Sequence, residues 1–495
     1  MQDRKHIAAA IRDYLARERM SREQFAFKTR LGKSTIDKLL IGLYSDRTLA
    51  IVESHTKLPL RSPGGRNGNT PPEHTTLNQP TLNQPSIAVL PFANLGGDTG
   101  QDHVADGLTE DIITALARLR WLVVIARNST FVYKGRAADV RQVARDLGVR
   151  YVLEGSVRTA GSRIRITGQL IGAETGQHIW AERYDRDAQD IFAVQDDITE
   201  RVVAAVEPCL YAEEDIRASG EPPDGVGAWG LAVRALGLLS RVDERRNAEA
   251  QDLLRRATTL EPGHARAHAL LGWAVWWAAC GCWNPDWHGG LRQAAGHAQD
   301  ALSFDPADPW ARMVSGLCHS SMGLHGRALV DLRTALDLNP SFALGHTALG
   351  WALLRAGRFD EAVAETGHAL RISPRDRFAG FYSSIHGLAL LGSRRFEEAL
   401  PFLRASVAAF AGHAAHYDSL ISCCGHLGLL EEAQEFIATR NRIGPALCLG
   451  VLRQNLARFA HRDVFLDGLR KAGVPERPRQ VLENSGKGGG KTGNT

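Results

Sequence analysis

The chain has 495 residues, more than one hydrophobic core usually organises, so about three domains are expected. Hydrophobic residues make up 44% and charged residues 23%, and these near-average values argue against a wholly disordered chain and against a membrane protein. The net charge is +4, yet residues 1–60 alone hold 12 Lys and Arg against 7 Asp and Glu, a difference of +5. The basic excess is therefore local to the beginning of the chain.

Apolar runs and cysteines bear on location and on metal chemistry. The longest apolar run, residues 269–283, is shorter than the roughly 20 residues that a membrane helix needs. Charged residues interrupt the beginning of the chain, which predicts no secretory signal and a cytoplasmic location. The seven cysteines include no C-x-x-C pair, so neither a disulfide framework nor a zinc site is expected, and no cofactor is predicted.

Residues 1–60 predict a small domain of three helices. Ile11 and Leu15 continue an apolar stripe that begins at Ile7, and Ser21 with Gln24 has the spacing of a capping box. A turn at residues 31–32 then leads into a third helix with Ile36, Leu39 and Leu40 facing inward. That helix would present five polar residues outward, and these are the candidate DNA-contacting residues: Lys33, Ser34, Thr35, Asp37 and Lys38.

This head resembles the Cro/repressor-type (XRE-like) helix-turn-helix family. The resemblance rests on Ser21, Phe25-Ala26, Leu31-Gly32-Lys33-Ser34-Thr35-Ile36, Leu39 and Gly42. It implies DNA binding, usually as a dimer, with the third helix in the major groove. The alternative is a small helical domain whose polar face is only solvated, because the third helix begins without the Arg, Gln or Asn that make the commonest base contacts.

Residues 61–85 predict a flexible linker, since they are rich in Pro and Gly and repeat Thr-Leu-Asn-Gln-Pro. Residues 86–212 predict a small α/β domain. Its expected strands and helices are strand 86–92, helix 103–119, strand 122–126, helix 139–147, strands 151–158, 163–171 and 178–184 with a turn at Ala160-Gly161, and helix 189–210.

The α/β segment resembles the TolB amino-terminal-like domain, which implies an interaction or sensing module without a defined reaction. The resemblance rests on residues 87–92, 105–111, 125–127, 152–157, Trp180 and 183–185. Asp106, Glu110 and Asp111 could bind a metal ion, but acids are favoured at a helix start by the helix dipole. The Gly96-Gly97 turn lacks the Lys and Ser/Thr of a phosphate-binding loop, so a simple turn is the preferred interpretation.

Residues 224–482 predict an α-solenoid. Six alanines recur with spacings of 44, 34, 34, 37 and 34 residues: Ala250, Ala294, Ala328, Ala362, Ala399 and Ala433. Prolines end four of the repeats: Pro262, Pro306, Pro340 and Pro374. The segment resembles the tetratricopeptide (TPR) family, most clearly through Leu349-Gly350-Trp351-Ala352, Gly357-Arg358-Phe359-Asp360-Glu361-Ala362, Ala369-Leu370 and Pro374. The resemblance implies stacked helix pairs with a groove for a protein or peptide.

The 44-residue spacing predicts an enlarged turn at residues 280–289. Trp283 and Trp287, next to Trp276 and Trp277, are candidate protein-binding residues, but buried helix packing is the preferred interpretation of these tryptophans. Five scattered histidines are interpreted as surface or packing residues and not as metal ligands: His264, His268, His288, His297 and His319. Residues 483–495 predict a disordered tail.

Taken in order, these segments predict a multi-domain α and α/β protein: a small helix-turn-helix bundle, a small α/β domain and an α-solenoid of TPR-like helix pairs. We expect a non-enzymatic bacterial regulatory adaptor that binds DNA and a protein partner, with a homodimer possible. One alternative is a pure protein scaffold that does not bind DNA. Another is membership of a family labelled adenylate cyclase; because the segment before residue 86 is too short for a class III cyclase domain, we expect no catalytic domain.

Overall fold

The computed structural model describes most of the chain from residue 85 onward and scattered positions before it. The described residues are 85–96, 101–136, 139–187, 189–220, 225–241, 243–281, 283–457, 459–477, and positions 11–15, 17, 20, 21, 24, 25, 29, 36, 39, 40, 52, 55 and 56. The five predicted DNA-contacting residues, the predicted linker up to residue 84 and the predicted tail lie outside this set.

Residues 1–78 form one compact unit, separate from residues 79–495. Its described apolar side chains pack into a single cluster: Ile11, Tyr14, Leu15, Phe25, Ile36, Leu39, Leu40 and Val52. The predicted capping box is present, because the Ser21 N–H donates to Gln24 Oε1 at 2.9 Å and the Gln24 N–H donates to Ser21 Oγ at 3.2 Å. The predicted inward positions of the third helix, Ile36, Leu39 and Leu40, are confirmed as buried.

The second unit begins with a mixed sheet flanked by helices. The strands are β1 Ser86–Val89, β2 Ala93–Asn94, β3 Val123–Val124, β4 Tyr151–Ala160, β5 Arg163–Gly172 and β6 His178–Asp187. The helices of this segment are α1 Asp102–Leu116, α2 Arg127–Thr130, α3 Val140–Leu147 and α4 Ile191–Ser219. The strands follow the order β3-β1-β4-β5-β6 along the sheet, and β2 also pairs with β4. Pairs β3–β1, β1–β4 and β2–β4 are parallel, and β4–β5–β6 is an antiparallel meander.

Two local details differ from the sequence-based expectation. The predicted strand 86–92 is interrupted at Pro91, which has no N–H for the ladder, and pairing with β4 resumes at Ala93. The β4–β5 turn consists of Gly161 and Ser162, one position later than predicted, because Ala160 still pairs with Arg163. Gly161 has φ +60°, a left-handed conformation that glycine adopts without strain.

Helices cover both faces of the sheet, as the alternation along β1 requires. Ile87 and Val89 join the core formed with α1 and α4, whereas Ala88 and Leu90 pack with Val143 of α3 on the opposite face. At β1, each face of the sheet is therefore covered by a different helix layer.

Helix α4 continues well beyond the predicted end near residue 210, to Ser219. It therefore crosses the boundary predicted at residue 212. Its buried residues belong to the same apolar cluster as the sheet and the helices that follow, so the described core is continuous from Ile87 to Phe410.

The remainder is a solenoid of antiparallel helix pairs, which makes the chain mostly helical. The paired helices are α5 Ala228–Leu239 with α6 Glu244–Leu260, α7 Ala265–Cys280 with α8 Trp287–Phe304, α9 Pro309–Ser321 with α10 His325–Leu338, α11 Ala343–Arg355 with α12 Phe359–Ile372, α13 Ala379–Gly392 with α14 Phe396–Ala409, and α15 Ala414–Leu427 with α16 Leu430–Ile443. Two shorter helices follow, α17 Leu449–Asn455 and α18 Arg462–Lys471. Among the described residues, no helix is both long and apolar enough to cross a membrane.

The periodic alanines sit where the helices of each pair meet. All six are fully buried, which confirms that the repeat pattern marks helix contacts. The turn between α7 and α8 is the predicted enlargement, spanning the residues between Cys280 and Trp287.

Candidate functional site

A polar cleft opens between the sheet and the loop that follows α2. Its volume is about 910 Å³. Residues from β2, α1, β4, β5 and β6 line it together with the loop at 133–136. Sequence analysis did not predict this cleft, because its walls come from five elements spread over 94 residues of chain, from Leu90 to Arg183.

Glycines shape the floor of the cleft. Gly155 of β4 and Gly168 of β5 are directly paired, and a Cβ on Gly155 would lie 2.3 Å from the Thr167 carbonyl oxygen and 2.5 Å from the Phe92 ring. Next to them, Ser156 Oγ and Thr167 Oγ1 lie 2.6 Å apart in a hydrogen bond. Only a residue without a side chain allows Phe92 to pack this close under the sheet.

The cleft walls carry charges of both signs. Lys134 donates to both oxygens of Asp106 at 2.7 Å, and the Asn94 amide donates to Asp102 Oδ1 at 2.8 Å. Further charged lining residues are Arg136, Arg183, Glu154 and Glu182. A small polar ligand with both acceptors and donors would match such a surface better than an apolar one.

The three acids considered as metal ligands are held apart. Asp106 pairs with Lys134, and Glu110 lies 3.4 Å from the Arg127 guanidinium. Burial raises the pKa of Asp111, and the charges of Asp196 and Glu110 add to that effect. Among the described residues, these acids form no group close enough to share an ion. The Gly96 N–H is used locally, since it donates to Asn94 Oδ1 at 2.9 Å, as a simple turn requires.

Helix α4 joins the cleft-bearing sheet to the turns of the solenoid. The buried Arg266 guanidinium donates to Asp308 Oδ2 at 3.0 Å and to the Tyr211 hydroxyl of α4. One turn earlier on α4, Glu207 accepts from the Asn339 amide at 3.3 Å, and Ser373 donates to the Ala204 carbonyl at 3.2 Å. The helix therefore hydrogen-bonds to Arg266 at the start of α7 and to the turns that precede α11 and α13.

The pKa values of two charged groups between α4 and the solenoid, Glu207 and Arg266, are shifted from their usual values. Burial raises the pKa of Glu207, although Arg266 and Asn339 act in the opposite direction. For Arg266, burial alone would lower the pKa, but Asp308, Tyr211 and Glu207 outweigh it and raise the pKa. The guanidinium thus stays charged inside the interface.

The candidate protein-binding tryptophans are both half-buried. The Trp283 ring meets the His413 ring edge-on at 6.0 Å, and a Cβ on Gly281 would lie 3.1 Å from the Trp283 ring. Trp287 packs against the core and lies 4.7 Å from the His288 ring. Their neighbour Trp276 is buried, with its indole N–H donating to Ser321 Oγ at 3.0 Å. Partner binding by Trp283 and Trp287 stays a prediction.

Two of the five histidines that are scattered in the sequence lie close together in the structure. His264 accepts from the Ala267 N–H at the start of α7, and His319 lies 2.8 Å from Asp331. His268 and His297, which are far apart in sequence, come together with Asp300. Sequence analysis missed this grouping, because it arises from the crossing of α7 and α8.

Two family models match parts of the chain. Residues 83–201 match the second domain of HilA/YgeH-like transcriptional regulators, and residues 320–377 match the tetratricopeptide repeat. The first match covers the sheet and only the first 11 of the 29 residues of α4, and the second covers the helix pair α11–α12 with the helix before it. The TPR prediction is confirmed, whereas the TolB-like and XRE-like resemblances stay predictions.

One curated relative and several solved structures are similar to parts of the chain. The relative is "Putative adenylate cyclase 3" of Rhizobium meliloti (strain 1021), 46% identical over 239 residues, which are 48% of this chain and 41% of the relative. This chain thus spans less than half of that relative's length.

The solved structures are more distant. Pseudomonas aeruginosa pilF is 17% identical, covers 44% of this chain and 93% of its own, and has a TM-score of 0.32. TolB from Acinetobacter baumannii is 20% identical, covers 24% of this chain and 27% of its own, and has a TM-score of 0.18. Such low TM-scores carry no argument. What the comparisons establish is a segment similar to a regulator domain, followed by TPR repeats.

Proposed function

We propose that this chain is a non-enzymatic regulatory adaptor: residues 1–60 bind DNA, the α/β segment senses a polar ligand or partner, and the solenoid holds a protein. The observation that carries the proposal is the match of residues 83–201 to a transcriptional-regulator domain, fused through α4 to TPR repeats. Because α4 hydrogen-bonds to Arg266 of α7 and to the turns before α11 and α13, a ligand in the cleft and a partner in the solenoid would act on one packed unit.

DNA binding by residues 1–60 is supported by charge and by local structure. This segment carries the basic excess of +5. Its capping box and apolar cluster support a packed helical head. Lysines at positions 33 and 38 would neutralise phosphates.

A protein scaffold without DNA binding is the second candidate. This proposal assigns the same roles to the solenoid and to α4 as the DNA-binding proposal does. The two proposals differ only in whether residues 33–38 contact DNA. The name of the Rhizobium relative raises cyclase activity as a third candidate; we propose that this chain lacks it, and formation of cyclic AMP from ATP by the purified chain would contradict that.

The DNA proposal can be tested by selecting full-length protein against randomised DNA duplexes at two salt concentrations. We expect one sequence to be enriched and the affinity to fall steeply with salt. The double variant Lys33→Glu/Lys38→Glu should lose this binding, because two cations that would neutralise phosphates become anions. Any binding that remains should depend less on salt, since each neutralised phosphate contributes about −0.9 to the slope of log K against log salt.

The matched control is Lys487→Glu/Lys491→Glu, which makes the same charge change outside the predicted head. It should keep both the enriched sequence and the salt slope. If neither wild type nor control binds DNA at low salt, the scaffold is the better account. Equal loss in both double variants would point to net charge and not to residues 33 and 38.

A further inference from the structure

Three successive helix pairs build the same small slot between their two helices. In each, the residue six positions after a repeat-ending proline donates to that proline's carbonyl: His268 to Pro262 at 2.9 Å, Arg312 to Pro306 at 3.5 Å, and His346 to Pro340 at 2.9 Å. Residues three or six positions after the periodic alanine of the second helix lie in the same slot. These are His297 and Asp300 in the first slot, Asp331 in the second, and Glu365 and His368 in the third.

The middle slot holds a cation that the chain itself supplies. The Arg312 guanidinium lies 3.7 Å from the Asp331 carboxylate, and His319 Nδ1 lies 2.8 Å from the same side chain. This copy shows that the slot can hold positive charge between the first and second helix of a pair.

The first slot has ligand atoms instead of a guanidinium. Because a carbonyl oxygen can only accept, the contact with Pro262 places a proton on His268 Nε2, so in the neutral ring the lone pair is on Nδ1. That Nδ1 and the Nδ1 of His297 are both buried and have no hydrogen-bond partner among the described residues. Two buried nitrogens without partners are costly unless something binds them.

A carboxylate completes the group. Asp300 Oδ2 lies 4.0 Å from His268 Nδ1, too far for a hydrogen bond. One ligand atom from each of His268, His297 and Asp300 lies within 4.8 Å of the others. Two ligands of one tetrahedral zinc ion stand roughly 3.4 Å apart, given bond lengths of about 2.1 Å. The Asp300 side chain is 59% exposed, so it can close that gap by rotation.

We propose that His268, His297 and Asp300 bind one divalent transition-metal ion of the zinc class. Two imidazoles and one carboxylate suit such an ion, and water would fill the fourth position. The hydrogen bond from His268 to Pro262 is the kind of second contact that orients a ligating imidazole. The ion would tie α7 to α8 across the widened turn.

The third slot provides an internal comparison, because its groups already have partners. His368 Nε2 lies 2.7 Å from Glu200 of α4, and His346 Nδ1 lies 2.8 Å from Glu365. An ion there would have to displace both contacts. The first slot needs no such displacement, which is why the site is assigned to it.

The test titrates zinc into the metal-free full chain by calorimetry and repeats the titration with cobalt, whose visible absorption reports the ligand set. We expect one ion per chain. His297→Gln and Asp300→Asn should each weaken zinc binding by at least about 10-fold. Asp300→Asn is the safer variant for folding, because that side chain is mostly exposed. Circular dichroism checks that both variants keep their helices.

The matched control is His346→Gln/His368→Gln in the third slot, which should leave the zinc affinity unchanged. The proposal is overturned if folded wild type binds no zinc, if Asp300→Asn and His297→Gln bind it as tightly as wild type, or if the third-slot variant loses binding instead. Loss of DNA binding would not bear on this site, so the proposed function and this inference fail separately.

Discussion

His416 illustrates how a single buried side chain sets a pH response. It is 7% exposed, and its Nδ1 lies 2.7 Å from Ser406 Oγ and 3.1 Å from Ser384 Oγ. Burial lowers the pKa of His416 to about 3, and the neighbouring His413 adds to the effect. The Nδ1 lone pair of the neutral ring can accept from one of these hydroxyls, so the uncharged form is the one that fits between α13, α14 and α15.

Replacement of His416 by Gln should flatten the acid branch of the stability curve. The folded pKa lies below the unfolded value near 6.5, so the unfolded state binds more protons between those pH values. Stability from this group is complete above about pH 6.5 and is lost as pH falls toward the folded pKa, at up to about 1.4 kcal/mol per pH unit. Urea unfolding at pH 7.5 and 5.5 measures the difference between variant and wild type.

The control for this measurement is His288→Gln, at an exposed histidine of α8. It should leave the pH dependence as in wild type. If His416→Gln shows the same loss of stability between the two pH values as wild type, the ring does not stay neutral in the folded chain.

At the scale of elements, α4 decides how the sheet and the solenoid fit together. It is 29 residues long, and its Tyr211 and Glu207 side chains bond to Arg266 at the start of α7 and to Asn339 in the turn before α11. The ion pair next to Tyr211 is formed by Arg266 and Asp308, which are 8% and 4% exposed. A buried pair contributes little when intact, but breaking it leaves one charge without compensation.

Asp308→Asn should destabilise the chain by about 3 kcal/mol. The amide oxygen can still accept from the Ala311 N–H at the start of α9, so the helix cap is kept while the charge facing Arg266 is lost. We expect the lower end of the range for buried pairs, because Glu207 also attracts Arg266. Denaturant unfolding of the full chain measures the change.

The matched variant is Asp252→Asn, which breaks the exposed pair with Arg255 at 2.7 Å. It should cost no more than about 1 kcal/mol. Similar costs for both variants would mean that the α4 interface is open to water.

At the scale of the second unit, the sheet and the repeats share one core. Tyr211 of α4 stacks on Trp121 at 4.5 Å, and Trp121 stacks on Trp229 of α5 at 5.3 Å. These rings connect the α/β segment to the first helix pair without an aqueous gap. Residues 79–495 are accordingly one compact unit, and the boundary expected near residue 212 lies within a helix.

Tyr211→Ala should therefore weaken both parts together. Removal of a buried aromatic side chain costs about 3–5 kcal/mol, and here the cavity would lie between the sheet and the solenoid. Hydrogen exchange should accelerate in β4–β6 and in α9–α11 to a similar extent, and a single unfolding transition should move to lower temperature. Acceleration in only one of these regions would contradict a shared core.

Phe192→Ala provides the control on the same helix, since Phe192 is 76% exposed. It should change neither the unfolding temperature nor the exchange rates beyond the start of α4. This separates loss of the shared core from a general effect of shortening side chains on α4.

The sequence by itself determined the local features of this protein. The alanine period located the helix pairs, Ser21 with Gln24 located a capping box, and the alternation of strands 151–171 located a hairpin to within one residue. Each of these depends on residues only a few positions apart, where helix and strand periodicity dictate which side chains face the core.

The tertiary structure alone decided which distant residues meet. The length and docking of α4, the cleft floored by Gly155 and Gly168, and the slot of His268, His297 and Asp300 all depend on crossings between elements. No periodicity encodes such crossings, because a side chain's partners across a helix pair or a sheet are fixed by packing. The predicted DNA-contacting residues depend only on the sequence and await the binding experiment.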